Sequence, residues 1–567
     1  FMKNIKVGFI VNNLTVSKHV LELIDALSQN NNFREIVILI LGHPSVGQSF
    51  LKRQWIGNSI PQKIFYLFDS LFRAILLRII SKFEIFIARK SFKNFKKTCS
   101  LAPLGLRELH MESLWSTTGY VVRLKQKSIE TIESENFDVL IRANSGILKG
   151  NIIQAAKHGI LSFHLGDNRS NRGGPPGFWE VLNNEQSTGF IIQRLSEELD
   201  GGEVLFRGNI ATSKFWYANH AQIIHKSNFF MQVVLERLIK EECLKSIEGP
   251  SLHHNRMYTL KGSALDIIKY VATTYMPFIL DKVISIFRGP RVSRWGIAYS
   301  PFSNLRTSLF KYKEIKNPKG RFFADPFVIT HNNRSICFVE DYFYSDDKGR
   351  ISAIELKDHS YEFLGVVLEE NFHLSYPFVF KNDSEIYMIP ETSQAKEIRL
   401  YKCIEFPNKW KLQKVLMDNV RAADTSVVKI NGIWYMLTNI CSAGIGMHSS
   451  ELHVFYSEDI ESDIWQPLKC GNPVLFDARY CRNGGLFNLG DKLIRVNQVQ
   501  GKGTYGESFC LNEITHLSPQ GYKEICLDRV YPNFFSGINC THHFHTDENF
   551  SIVDFARPER LSAAKKT

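Results

Sequence analysis

Between about Arg294 and Ala556 the chain repeats itself. Asp325-Pro-Phe-Val-Ile leads to Ser335-Ile-Cys-Phe-Val-Glu340, and Tyr376-Pro-Phe-Val-Phe leads to Ile386-Tyr-Met-Ile-Pro-Glu391. Asp424-Thr-Ser-Val-Val leads likewise to Ile433-Trp-Tyr-Met-Leu, and the steps between copies are 51 and 48 residues. A second pattern travels with the first: Leu400-Tyr401 precedes Trp410, and Phe455-Tyr456 precedes Trp465. Weaker copies start near Arg482 and His542. Within each copy apolar residues alternate and turns intervene, without helical spacing. A period near fifty residues with about four strands per unit is the mark of a β-propeller blade, since a small sheet buries its faces only by stacking on its copies. Five copies fit, which predicts an all-β five-bladed propeller over 294–567.

The first half has a different grammar. Ile5 to Val11 is nearly all apolar, as a parallel strand buried on both faces is. Val16 to Ser28 has helical spacing and Glu35 to Leu41 is a second strand, so the chain opens as a doubly wound α/β domain. The loop after the first strand, Asn12-Asn-Leu-Thr-Val, has no G-x-G-x-x-G and implies no dinucleotide. Further on, Lys125 to Glu135 reads as a helix, Asp138 to Arg142 as a strand and Asn151 to His158 as a helix. Helices follow over Ala218 to Glu242 and over Leu265 to Phe287, the latter containing Pro277. The expected domains are 2–250, a helical linker 251–293 and the propeller 294–567.

Chemistry concentrates between Gly159 and Arg207. Leu161 to His164 reads as a short strand ending in a polar residue, followed by a Gly/Pro/Asn loop with two arginines and a helix whose first turn suits Pro175 and Pro176. Thr188 to Arg194 and Glu203 to Arg207 read as two more strands, with Leu199-Asp-Gly-Gly between them. His164 and Asp200 thus stand at strand ends. Transfer of an acyl-type group to an amine needs a donor for the developing oxyanion and a base for the amine proton; His164 can meet the first need and Asp200 the second. Taken singly, each fits a plainer role, a satisfied core histidine and a turn-forming aspartate.

Taken together, the segment resembles the formyltransferase family, which moves a formyl group from 10-formyltetrahydrofolate to an amino group. That family's Asn-x-His, Arg-Gly, Thr-Gly and Leu-Asp-x-Gly elements correspond to Ser162-Phe-His164, Arg172-Gly173, Thr188-Gly189 and Leu199-Asp-Gly-Gly202, in the same order. The resemblance implies a Rossmann-like domain with His164 and Asp200 catalytic. The loop Asn144, Ser145, Gly146, Ile147 and Leu148 would line the folate pocket with Leu199 and Gly201, and Asn168, Arg172 and Trp179 would face the acceptor. One position departs: the family's Asn is Ser162. Either the Ser162 hydroxyl takes over its work on the oxyanion, with Asn144 or Asn168, or formyl transfer is impaired.

The repeats resemble the five-bladed propellers of glycoside hydrolase families and the N-terminal region of plant glucosamine inositolphosphorylceramide transferases. In the hydrolases the first strand of each blade points acids into a central funnel, and Asp325, Glu391 and Asp424 are the matching candidates. Two carboxylates across a sugar serve hydrolysis as acid and base. Binding of sugar hydroxyls is the preferred role here, because no full hydrolase triad aligns. A scaffold for dimerisation is the third role for this domain.

Composition narrows the partners. A net charge of +12 over 567 residues fits a nucleic acid or an anionic sugar conjugate, but no helix-turn-helix, zinc-finger or RNP pattern is present, so no nucleic acid is expected. The ten cysteines form no C-x-x-C, and His220 and His225 lie five apart without a carboxylate at helical spacing, so no metal is expected. Between Ser49 and Lys97 apolar residues from Ile64 to Phe86 recur at helical spacing, broken by Asp69, Arg73, Arg78 and Lys82, too often for a span. Such a helix can lie on an anionic membrane; packing on its own domain or on a second copy is the preferred outcome. The resulting expectation is a cytoplasmic enzyme, with contact at the inner face of the membrane and a homodimer left open. It would formylate an amino sugar, nucleotide-linked or on a glycan, in surface polysaccharide biosynthesis. The alternative is a glycan-binding or glycan-processing protein whose first domain is inactive or altered.

Overall fold

The computed structural model describes residues 4–42, 60–88, 92–117, 119–170, 172–250, 264–301, 308–444 and 446–565, without the side chains of 60, 62–67 and 70. The start of the expected insertion and most of the first part of the expected linker lie outside these residues. The chain divides into two compact units, Phe1–Met276 and Pro277–Thr567.

The first unit is built on a seven-stranded sheet of β1 (Ile5–Val11), β2 (Phe33–Ile40), β3 (Arg107–His110), β4 (Val139–Arg142), β5 (Ile160–His164), β6 (Ser187–Arg194) and β7 (Glu203–Ala211). Its order is β7-β6-β5-β4-β1-β2-β3. The strands from β3 to β5 in that order pair in parallel, whereas β6 and β7 turn antiparallel. The parallel arm with helices is a doubly wound, Rossmann-like arrangement. β1 is buried along its whole length, which is why it reads as an unbroken apolar run.

Helices α1 (Lys18–Ser28), α2 (Ile60–Ile87), α3 (Gln126–Ser134), α4 (Phe178–Leu182) and α5 (Trp216–Glu241) belong to this unit. A helix from Leu265 to Tyr270 (α6) continues through a π-turn, Val271–Tyr275, into α7 (Met276–Arg288). Two local expectations need correction. Residues 151–158 form only a 3-10 turn, Asn151–Gln154, and not a full helix. Pro175 and Pro176 precede α4, which starts after Gly177 at φ 72°.

Among the described residues the second unit contains five antiparallel sheets. Four follow the chain in order, beginning with Arg321–His331, Ser375–Asn382, Ala422–Ile430 and Asn483–Leu489. The fifth joins both ends of the unit: Arg291–Ser300 pairs with Ser551–Arg560 over ten residues. Lys313–Ile315 and Phe544–Thr546 complete it. The first strands of successive sheets lie side by side, and Phe544–Thr546 returns to Arg321–His331, so the set closes on itself. Pairing the two ends of the unit in one sheet ties the ring shut without leaving a terminal sheet half-built.

The repeat recognised in the sequence has a backbone cause. Each of the four first strands has a bulge, between Ala324 and Phe327, Ser375 and Phe378, Ala423 and Ser426, and Asn483 and Leu486. At the bulges Asp325, Tyr376 and Asp424 take φ of 48°, 44° and 50°. An extra residue in left-handed conformation bends the strand and re-aims its side chain. Opposite the residues preceding the bulges stand Glu340, Glu391, Asn439 and Asn497 on the second strands.

Candidate active site

β5 ends at His164, between parallel β4 and antiparallel β6, where the sheet changes direction. Asp200 lies in the β6–β7 turn at φ 57°. Its Oδ1 sits 3.1 Å from His164 Nδ1, and both side chains are largely buried. The turn can come this close only because of Gly202, where a Cβ would lie 2.0 Å from the Arg194 carbonyl oxygen. The Thr-Gly pair is explained by packing too. Thr188 Oγ1 accepts from Asn219 Nδ2 at 2.8 Å, and a Cβ on Gly189 would meet Asp167 at 2.6 Å.

His164 and Asp200 border a cavity of about 280 Å³. Ile147, Leu148, Leu195 and Leu199 give it an apolar wall, and Arg142, Arg172, Glu180 and Gln193 a polar one. Burial acts to raise the Asp200 pKa, but the His164 hydrogen bond and the charges of His164, Arg172 and Arg142 outweigh it and hold the carboxyl below its ordinary value. Asp200 is therefore an anion that accepts from Nδ1–H and fixes the His164 ring. Two buried polar atoms on the wall, Gln193 Oε1 and Arg172 Nε, have no hydrogen-bond partner among the described residues. A cavity with an apolar flank and a few polar groups is suited to a small molecule that is part apolar and part polar.

Several expected site residues take other places. Ser162 is buried and does not line the cavity; its Oγ accepts from Arg142 Nη1 at 3.3 Å and donates to its neighbour's carbonyl. Arg142 Nε donates to the Gly146 carbonyl at 3.0 Å, and its side chain forms part of the cavity wall. Arg142 thus stands between Ser162 and the cavity, and sequence reading missed it because an arginine ending a short strand carries no motif. Asn168 is buried too: it donates to the Asp200 carbonyl at 3.2 Å and accepts from Arg207 at 2.9 Å, which makes it a support for the turn and not an acceptor contact. Trp179 packs in the core with Nε1 on the Gly174 carbonyl, and its neighbour Glu180 lines the cavity.

Of the loop 144–148, Ile147 and Leu148 reach the cavity, as does Leu199. Asn144, Ser145, Gly146 and Gly201 are not on its wall. Asn144 Nδ2 donates to the Gly146 carbonyl and Ser145 is tied to Asn12. These four shape the loop and the turn. Gln193 has no counterpart among the expected residues, since a polar side chain inside an apolar strand reads as ordinary alternation.

The second unit gathers its own polar cluster. Arg482 Nε donates to Asp424 Oδ2 at 2.6 Å and Gln498 Nε2 donates to the same oxygen at 3.0 Å. Arg482 Nη2 lies 3.6 Å from Glu391, so one guanidinium faces both carboxyls. Burial first, then the Asp424 charge, pushes the Glu391 pKa up to about 8 against the opposing Arg482. Burial likewise pushes Asp325 up to about 7, with His542 opposing and Asp424 adding to the rise. Glu340 is raised as well, by burial and by Asp325 and Glu391. Asp325, Glu391 and Asp424 therefore sense one another in a single cluster, to which Glu340, Arg482 and His542 add. Trp295 stacks on His542 at 4.0 Å between ring centroids, and Arg482 lies over Tyr505. Asp325, His542 and Asp554 present ligand atoms within 4.8 Å of one another, but His542 Nδ1 already pairs with Asp554.

Residues 297–543 match the family model described as glucosamine inositolphosphorylceramide transferase 1, N-terminal. The curated protein named glucosamine inositolphosphorylceramide transferase 1 from Oryza sativa subsp. japonica is 37% identical over 209 residues, 36% of this chain and 28% of that protein. The Arabidopsis thaliana protein of the same name is 32% identical over 234 residues, 39% of this chain and 30% of that protein. The chain thus spans less than a third of the length of these relatives. It is also similar to a methionyl-tRNA formyltransferase from Caldanaerobacter subterraneus subsp. tengcongensis, 26% identical over 138 residues, 24% of this chain and 41% of that protein.

Proposed function

We propose that the chain is a two-part sugar-modifying transferase: a Rossmann-like formyltransferase unit, Met2 to about Pro250, joined by helices to a five-bladed propeller. Its reaction is transfer of the formyl group of 10-formyltetrahydrofolate to the amino group of an amino sugar, nucleotide-linked or glycan-linked, in surface polysaccharide biosynthesis. The observation that carries the reading is the His164–Asp200 contact on the wall of the cavity. The similarity to a methionyl-tRNA formyltransferase supports the formyl half. The plant proteins' name, with glucosamine in it, supports an amino sugar as acceptor.

In this reading the neutral amine attacks the formyl carbon and the carbonyl oxygen becomes an oxyanion. His164, held by Asp200, and Arg142, held by Gly146 and Ser162, provide donors for it. Attack forms the new C–N bond and the tetrahedral intermediate; Asp200 takes the amine proton, and collapse of the intermediate breaks the bond from the formyl carbon to the donor nitrogen, which takes up that proton as tetrahydrofolate leaves. Ile147, Leu148 and Leu199 exclude water from the donor. Incubation of the chain with 10-formyltetrahydrofolate and a panel of amino sugars, read by mass spectrometry for the gain of one formyl group, tests it. Absence of formylation together with absence of folate binding ends the reading.

For the second unit the placement of Glu391 and Asp424 on one guanidinium, that of Arg482, favours binding of glycan over hydrolysis, because both carboxyls are already engaged. A protonated Glu391 can donate to, and the Asp424–Arg482 pair can grip, sugar hydroxyls. Glu391→Gln is expected to weaken glycan binding with the fold retained; release of reducing ends from a bound glycan would favour the hydrolytic role instead.

A further inference from the structure

α2 buries one stripe and shows another. On the inner side Asp69 takes the Arg73 guanidinium at 2.9 Å and the Ala264 amide at 2.9 Å. Glu84 is 1% exposed and accepts from Tyr270 Oη at 2.5 Å, Tyr275 Oη at 2.6 Å and the Tyr217 amide at 2.6 Å. The outer side carries Phe68, Phe72, Ile75, Ile79, Phe83 and Phe86, between 40 and 81% exposed. Their spacing of three or four residues lines them up along one face, roughly 27 Å long at 1.5 Å per residue. Beside them stand Arg78 and Lys82, exposed. Among the described side chains of this helix, both acids are turned inward and the exposed charges are Arg78 and Lys82. In α6, Leu265 and Ile268 are exposed as well.

An exposed apolar stripe of this size needs a cover. A second copy would meet it through a self-complementary contact, and among the described side chains of α2 the exposed charges facing such a copy are the positive Arg78 and Lys82. No helix among the described residues is long and apolar enough to cross a membrane. We propose that the α2 face docks on the surface of an anionic bilayer, the aromatic and aliphatic side chains entering the interface and Arg78 and Lys82 meeting lipid phosphates. A face that turns Asp69, Arg73 and Glu84 inward and leaves only Arg78 and Lys82 as exposed charges among its described side chains suits such a surface.

Cosedimentation of the full chain with vesicles tests this. Binding is expected to phosphatidylcholine–phosphatidylglycerol vesicles, to fall with salt, and to be far weaker on phosphatidylcholine alone. The double variant Ile75→Glu, Ile79→Glu should lose it. Arg78→Gln and Lys82→Gln should each weaken it on the order of fivefold, the factor for ~1 kcal/mol per basic residue. Circular dichroism and thermal melts matching the parent establish that the variants are folded. Light scattering gives the competing outcome: a dimer that Ile75→Glu, Ile79→Glu splits, without binding to anionic vesicles, overturns the proposal in favour of a second copy. A monomer that ignores anionic vesicles overturns it as well.

Discussion

Arg142 donates to the Gly146 carbonyl and to Ser162 Oγ while its side chain stays on the cavity wall. Its burial disfavours the charged form and outweighs the nearby Asp200 anion, which only partly opposes it. Ser162 thus has a guanidinium in front of it, and under the proposed reaction that guanidinium is the donor at the oxyanion. On this account Arg142→Ala lowers turnover by the ~10²–10³ of a lost oxyanion donor. Ser162→Ala loosens only one of two anchors and should cost less than about tenfold, on the same scale. Steady-state formylation rates of an amino-sugar acceptor decide between them; equal losses would return the role to Ser162. This pairing was illegible in the sequence, because β4 and β5 bring Arg142 and Ser162 together from 20 positions apart. His164 and Asp200 were legible, since glycines and a turn motif accompany them.

At the scale of elements, what could be read was what repeats or alternates. The inner parallel strands announced themselves as apolar runs, whereas the edge strand β3, Arg-Glu-Leu-His and mostly exposed, did not; the blade copies announced themselves as Asp325, Tyr376 and Asp424 at even intervals. The bulge that gives those positions their direction leaves no mark beyond the residue itself, so their convergence with Glu340 and Arg482 had to come from pairing. The docking of α2 was hidden for a similar reason: a lone Glu84 in an apolar helix reads as an interruption. It is instead the acceptor that joins α2 to Tyr270, Tyr275 and the start of α5. Burial, partly opposed by these donors, raises its pKa. Glu84→Ala strands three buried donors and is expected to cost at least ~2 kcal/mol of stability in the first unit. Calorimetry of the full chain checks it, and a melt unchanged from the parent would show that these hydrogen bonds contribute nothing net.

Across the whole molecule, the two units store ionisable groups differently. The first holds Asp200 as an anion, whereas the second keeps Asp325 and Glu391 protonated well above their usual range, up to about 7 and about 8. In the unfolded chain such carboxyls titrate near about 4. Between that pH and the raised values the folded state binds more protons, so stability is full below about 4 and is lost as pH rises through the raised values. The melting temperature of the second unit should therefore fall between about pH 5 and about pH 9, and Glu391→Gln should flatten that slope. A melt that rises over the same range would mean that these carboxyls are ionised in the folded protein.

The central claim, that His164 and Asp200 form one catalytic device for formyl transfer, has a direct test in a double-mutant cycle. Groups acting as a unit lose most of their effect with the first removal. Formyl transfer from 10-formyltetrahydrofolate to an amino-sugar acceptor, followed by mass spectrometry, should drop steeply in His164→Ala and in Asp200→Asn, and hardly further when both are changed. Losses that simply multiply would show two independent contributions, and full activity in either single variant would contradict the site.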